Sequence, residues 1–184
     1  MAQSLFETPI GPLFIATTAR GVRVLSFPHD SSHDRLVDAL EPERANASAA
    51  AEAVMAEAIR QIEAYFAGER RSFDLPLDLR GTEFQRRVWQ SIAAIPFGQT
   101  SSYAEVAASA GRPNAYRAAG TACGANPVVL VVPCHRVIGT DRGLHGFGGG
   151  LDTKVWLLRH EGSLAALKAD RWVNAPAVRQ PALV

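Results

Sequence analysis

The 184-residue chain is 47% hydrophobic and 20% charged, with a formal net charge of +1, proportions that fit a globular core and exclude wholesale disorder. The length accommodates one large domain or two small ones. The longest apolar run, between Pro127 and Pro133, is far short of the ~20 residues that cross a bilayer, and residues 1–6 carry neither a basic start nor an apolar signal core, so a cytoplasmic protein is expected.

Residues 4–7, 13–17 and 22–27 are short apolar or alternating runs separated by turn residues around Pro9–Gly11–Pro12 and Gly21, the pattern of three antiparallel strands. Residues 45–66 are rich in Ala and Glu, with Val54, Ala58, Ile62, Tyr65 and Phe66 on one stripe and Gly68 beyond the end, which predicts a helix packed on that sheet. Residues 71–80 alternate but are interrupted by Pro76, so an edge strand or an extended connector is expected. A domain boundary near residue 80 coincides with a change of charge. Residues 1–80 carry eight Arg against twelve acids, net −4, whereas residues 81–184 carry eleven Lys and Arg against six acids, net +5. That asymmetry fits a second half that meets a polyanion, although a chance imbalance over a solvated surface gives the same count.

The second half reads as helices. Thr82 can cap a helix whose face is Phe84, Val88, Trp89 and Ile92, and the residues before Tyr103 can cap a short second one. After Gly111 a third helix is predicted from about Pro113–Asn114 through Ala122. A short helix, a Gly-containing turn and a helix dense in small residues form either a helix-turn-helix or an ordinary αα-hairpin. The β-branched run 128–132 predicts a buried strand, and residues 142–150 are a Gly-rich loop without the Lys-Ser/Thr ending of a phosphate cradle. A last helix begins at Leu151 and carries Glu161, and residues 171–184 are expected to be a loose tail.

The chain contains two cysteines, Cys123 and Cys134, with no CxxC pair, which argues against a disulfide framework and against zinc. Cys134 is followed by His135 and Arg136, with Glu161 on the last helix. A thiol becomes a nucleophile only as thiolate, and Cys, His and acid are the components of a relay. Adjacent side chains in an extended segment point apart, so a bridging water or a sharp turn is required. The residues alone also allow an inert buried Cys beside an exposed His, or a thiol protease.

Pro133-Cys134-His135-Arg136-Val137, preceded by Asn126-Pro127 and followed by the Gly-rich loop and Leu157-Leu158-Arg159-His160-Glu161-Gly162, resembles the active-site block of the O6-alkylguanine-DNA alkyltransferases. Thr8-Pro9-Ile10-Gly11, Tyr65-Phe66-Ala67-Gly68, residues 81–89, Ile95-Pro96-Phe97-Gly98 and Ser102-Tyr103 extend the likeness over nearly the whole chain. The resemblance implies an α+β fold of two domains. Residues 1–80 would be a ribonuclease H-like supporting domain, a small antiparallel sheet with a helix; residues 81–170 would be a mainly helical, winged helix-turn-helix domain that binds DNA and transfers the alkyl group.

It further implies that Cys134 accepts an alkyl group from O6-alkylguanine, and possible O4-alkylthymine, in one irreversible turnover after the nucleotide is flipped from the duplex. His135 would take the thiol proton through a water, Glu161 would orient His135, and Asn126 would brace the backbone beside the nucleophile. Tyr103 would act at the flipped nucleotide, Arg117 would fill the gap left behind, and Ala115 and Ala118 would let the helix enter the minor groove without regard to sequence. The carbonyls of Cys134 and Val137 would receive the guanine amine. Phe147 stands where many members have a Tyr that donates to O6, which leaves Gly148 and Gly149 backbone N–H groups for that task; slower transfer is then expected, since one lost donor to developing charge costs a few kcal/mol. No metal, no cofactor and no membrane partner is expected, and the protein would be monomeric off DNA. A non-catalytic lesion sensor and a helix-turn-helix regulator are the competing readings.

Overall fold

The computed structural model describes residues 1–41 and 48–163; the expected tail 171–184 and the first residues of the helix predicted from 45 lie outside them. The fold is α+β, in two units: Met1–Arg80 with Pro127–Val131, and Gly81–Asn126 continued from Val132.

In the first unit β1 (Ala2–Phe6), β2 (Leu13–Thr18) and β3 (Gly21–Ser26) form an antiparallel sheet in the order β1-β2-β3, with Ile15 opposite Ser4 on one side and Leu25 on the other. A short helix α1 (His33–Asp38) that the sequence pattern does not announce follows. None of its residues is buried, but Leu36 and the following Leu40 pack with Met1, Ala16 and Val24, so tertiary contact rather than propensity makes it. Helix α2 (Ala49–Phe66) starts where the Ser48 side chain accepts a hydrogen bond from Ala51 N, and it buries Ala51, Ala58, Ile62 and Tyr65. Thr17 Oγ1 donates to Ala51 O at 2.7 Å and fixes that helix on the central strand. The 71–80 segment is a connector with one parallel bridge, Leu77 to Val22. Pro76 offers β3 only its carbonyl, which receives Val22 N at 2.8 Å. Gly21 permits the approach, because a Cβ there would stand 2.3 Å from Pro76 O.

In the second unit α3 (Glu83–Ala93) carries a Thr82–Gln85 capping box and buries Val88, Trp89 and Ile92; Phe84, expected on that face, is half-buried beneath the Arg112 guanidinium. Helix α4 (Tyr103–Ser109) has a second capping box, Ser102–Glu105. Helix α5 (Tyr116–Gly124) starts later than Pro113–Asn114, since Arg112 O closes a turn with Ala115 N at 2.9 Å. Trp89 Nε1 donates to Ala122 O at 2.8 Å and locks α5 to α3. Two-residue strands β4 (Ser101–Ser102) and β5 (Val137–Ile138) pair in parallel, and Ile138 packs with Val155 and Leu158 of α6 (Leu151–His160).

The strand expected over 128–132 does not form. Val128 makes one bridge to Leu25, after which Val131 N bonds Val129 O and Cys134 N bonds Val132 O, both at 2.8 Å, and Leu130 takes φ 67°. Between two prolines the segment reverses instead of running on. Val128, Val129, Leu130 and Val132 are nonetheless at most 4% exposed; a compact turn buries β-branched side chains as fully as a strand does, and hydropathy cannot separate the two. Among the described residues no helix is long and apolar enough to cross a membrane.

Candidate active site

Cys134 opens a 3₁₀ turn, Cys134–Arg136, that follows directly on the proline-bounded reversal. Asn126, 5% exposed, donates from Nδ2 to Val132 O at 2.8 Å and to Cys134 Sγ at 3.2 Å. One amide therefore clamps the point where the chain re-enters the second unit and touches the Cys134 sulfur. The turn does not bring the His135 ring into a hydrogen bond with Cys134: its Nε2 meets Glu161 Oε1 at 2.8 Å and its Nδ1 has no partner among the described residues.

Glu161, at the C-terminal cap of α6, is held by Arg136 as well, from Nε to Oε2 and from Nη2 to Oε1, each at 2.9 Å. Burial works to raise the Glu161 pKa, but the hydrogen bonds and charges of His135 and Arg136 outweigh it and bring it down to about 2. An ionised carboxylate only accepts, so His135 Nε2 carries the proton and Nδ1 is the basic nitrogen. Nδ1 is buried and has no hydrogen-bond partner among the described residues. Burial, the largest influence, pushes the His135 pKa down despite Glu161, which keeps the imidazole neutral.

The Cys134 thiol is pushed down. Its largest cause is a hydrogen bond from Cys123; burial opposes, and Asn126 and the charge of Lys154 add to the lowering. Cys123 is raised well above the usual thiol value, by that same bond and by burial. The two buried thiols are thus pushed in opposite directions, Cys134 toward the thiolate and Cys123 away from it. Lys154 is fully buried, with Nζ donating to Val137 O at 2.7 Å and His145 O at 3.3 Å. Burial lowers its own pKa, while both thiols favour its charge.

A family model described as "6-O-methylguanine DNA methyltransferase, ribonuclease-like domain" matches residues 1–79, and one described as the "DNA binding domain" of the same protein matches residues 83–163. The methylated-DNA–protein-cysteine methyltransferase of Methanosarcina acetivorans is 42% identical over 163 residues, 89% of this chain and 99% of that one. The chain belongs to this methyltransferase family. Its member from Mycobacterium leprae is 45% identical over 155 residues, 84% and 88% of the two chains. The crystal structure of Mycobacterium tuberculosis OGT in complex with DNA superposes with a TM-score of 0.73 at 40% identity, covering 87% of this chain and 92% of that one.

In this family member the other site residues fall into two groups. Tyr103, with Ala104, Tyr116 and Gly120, lines one side of a cavity of about 690 Å³, and Gly139, Thr140, Asp141 and His145 line the other. Burial and the charges of Cys123 and Cys134 push the Tyr103 hydroxyl pKa up, so it is a donor at neutral pH. Arg117 and Ala118 are exposed on α5 and Ala115 caps its start; these three, with Val137, half-buried Phe147, exposed Gly148 and buried Gly149, are not among the residues that line this cavity. The Val137 carbonyl already receives Lys154. Two participants, Lys154 and Cys123, escaped the sequence reading, and Arg136, read there as a charge beside Cys134, acts elsewhere. Arg136 spends its charge on Glu161 rather than on the thiol. Lys154 supplies the charge instead, and a lone Lys beside Val155, Leu157 and Leu158 on a buried helix face was the signal for it. Cys123, to which the sequence reading gave no role, is buried and acts on the Cys134 thiol.

Proposed function

We propose that the protein repairs DNA by direct reversal, moving an alkyl group from guanine O6 to Cys134. The observation that carries this is the buried Cys134 sulfur, 3.2 Å from Asn126 Nδ2 and next in the chain to His135, whose Nε2 meets Glu161 Oε1 at 2.8 Å. The thiolate attacks the alkyl carbon in line: the S–C bond forms, the C–O6 bond breaks, and its electron pair passes to the purine, which takes up a proton. His135, neutral at rest and made basic at Nδ1 by the Nε2 bond to Glu161, accepts the thiol proton by way of a water as the sulfur attacks. A thioether, unlike a disulfide, is not reopened by a neighbouring thiol such as Cys123, so each molecule acts once.

A sulfur cannot reach an O6 substituent within a stacked duplex, so the nucleotide is flipped out, at a cost of a few kcal/mol that a poorly paired lesion reduces. Helices α4 and α5 act as a helix-turn-helix, with Ala115 and Ala118 against the minor groove, Arg117 in the gap and Tyr103 donating to the flipped purine. Val137 O has a second lone pair for the guanine amine. Phe147 cannot donate to O6, so Gly148 and Gly149 N–H groups serve there. The protein works in the cytoplasm, as a monomer off DNA, with no cofactor.

Incubation with a duplex containing O6-methylguanine, followed by intact-mass measurement, tests this. A gain of one methyl on the wild type, absent from Cys134→Ala, is expected. No gain on the wild type would leave a lesion sensor that binds without reacting.

A further inference from the structure

Tyr116 has no part in the chemistry above, yet it is 49% exposed; among the described residues only Leu5 is a large hydrophobic side chain as open to solvent. It is the first residue of α5, and its ring reaches the cavity of Tyr103. Tyr116 and Gly120 are four apart and so share one helix face. A Cβ on Gly120 would touch the Tyr103 ring at 3.7 Å, which sets Tyr103 against the inner part of that face and Tyr116 one turn further out. The Arg117 guanidinium lies 5.8 Å from the centre of the Tyr116 ring, within cation–π range.

The opposite wall is short and polar. Asp141 accepts from Gly143 N at 2.9 Å and lies 3.3 Å from His145 Nε2. Both pack over Gly139, where a Cβ would come within 2.2 Å of each. The mouth of the cavity thus carries a tyrosine ring joined to a cation on the α5 side, with the His145 imidazole, its centroid 6.3 Å from that of Tyr103, on the other. An exposed ring beside a guanidinium is the composition on which unpaired bases stack.

We propose that Tyr116 contacts DNA as a unit with Arg117: its ring stacks on the base left exposed beside the extruded nucleotide and so holds the duplex open, outside the reach of the reacting purine, which lies against Tyr103. This rests on the reading of the protein as acting on a flipped alkylguanine. Stacking of one base on an aromatic side chain is worth roughly tenfold in affinity or more, and it contributes only where a stack has been broken.

The rate of alkyl transfer to Cys134 from a duplex O6-methylguanine, at limiting DNA, is compared with that from free O6-benzylguanine base for wild type, Tyr116→Ala and Tyr116→Phe. The duplex-to-free-base ratio should fall about tenfold in Tyr116→Ala and recover in Tyr116→Phe. With 2-aminopurine beside the lesion and Cys134→Ala as background, its fluorescence should rise less on binding for wild-type Tyr116 than for Tyr116→Ala, because the ring covers it. An unchanged ratio overturns the proposal, even if both rates fall together, since misfolding lowers both. A Phe variant as impaired as the Ala variant overturns it too. A wild type inactive on both substrates removes alkyl transfer itself, whereas an active wild type with a flat ratio removes only the role of Tyr116.

Discussion

Lys154 and Arg136 are both buried cations near the nucleophile, and they do different work. Arg136 is neutralised by two bonds to Glu161 and a third, at 2.5 Å, to Ile95 O; it fixes the carboxylate that fixes the imidazole. Lys154 meets only carbonyls among its hydrogen-bond partners, so its charge acts on the two sulfurs. A folded-state thiol pushed below its ordinary value keeps its thiolate to lower pH and loses it as pH falls through the lowered value. Lys154→Met should therefore move the pH dependence of Cys134 alkylation by iodoacetamide upward by about one unit, roughly tenfold in rate below the midpoint. Peptide mapping at each pH resolves Cys134 from Cys123. An unshifted profile would assign the activation to Cys123 and Asn126 alone.

At the scale of elements, the reversal before Cys134 matters more than any regular strand. Val131 N and Cys134 N each bond a carbonyl two residues back, and Leu130, 2% exposed, sits in the left-handed region. Two effects compete in Leu130→Gly. Relief of the left-handed backbone is worth about 1–2 kcal/mol, while loss of a buried Leu side chain costs about 2–5 kcal/mol. The burial wins, and a net loss of roughly 2 kcal/mol should appear in the urea midpoint without a change of slope. Stabilisation by glycine there would mean that backbone strain dominates the turn.

Over the whole molecule, the near-neutral total charge divides at residue 80 into net −4 and net +5, close to where the two units divide the chain. A cationic half that meets phosphates by charge releases counterions and does not read sequence. Undamaged duplexes of unrelated sequence should bind within about threefold of one another, and log affinity should fall linearly with log salt concentration. Fluorescence anisotropy across several sequences and salt concentrations checks both, and a strong preference for one sequence would favour a regulator.

Composition, turn residues and helical stripes were enough for the two-domain α+β plan, and the family resemblance singled out Cys134 because Cys134, His135 and Asn126 lie within nine positions of one another and local motifs survive in a linear string. The sequence was silent or misleading where a partner is distant. The 128–132 run has the hydropathy of a strand, and only its flanking prolines and its burial against β3 turn it back. Lys154 lies 20 positions after Cys134, and Cys123 lies 11 before Cys134; the apolar neighbours of Lys154 mark it as buried, but nothing local says that either residue faces the Cys134 sulfur. Which cation faces a thiol depends on distances through a low-dielectric interior, and these exist only once α5, α6 and the 3₁₀ turn have packed.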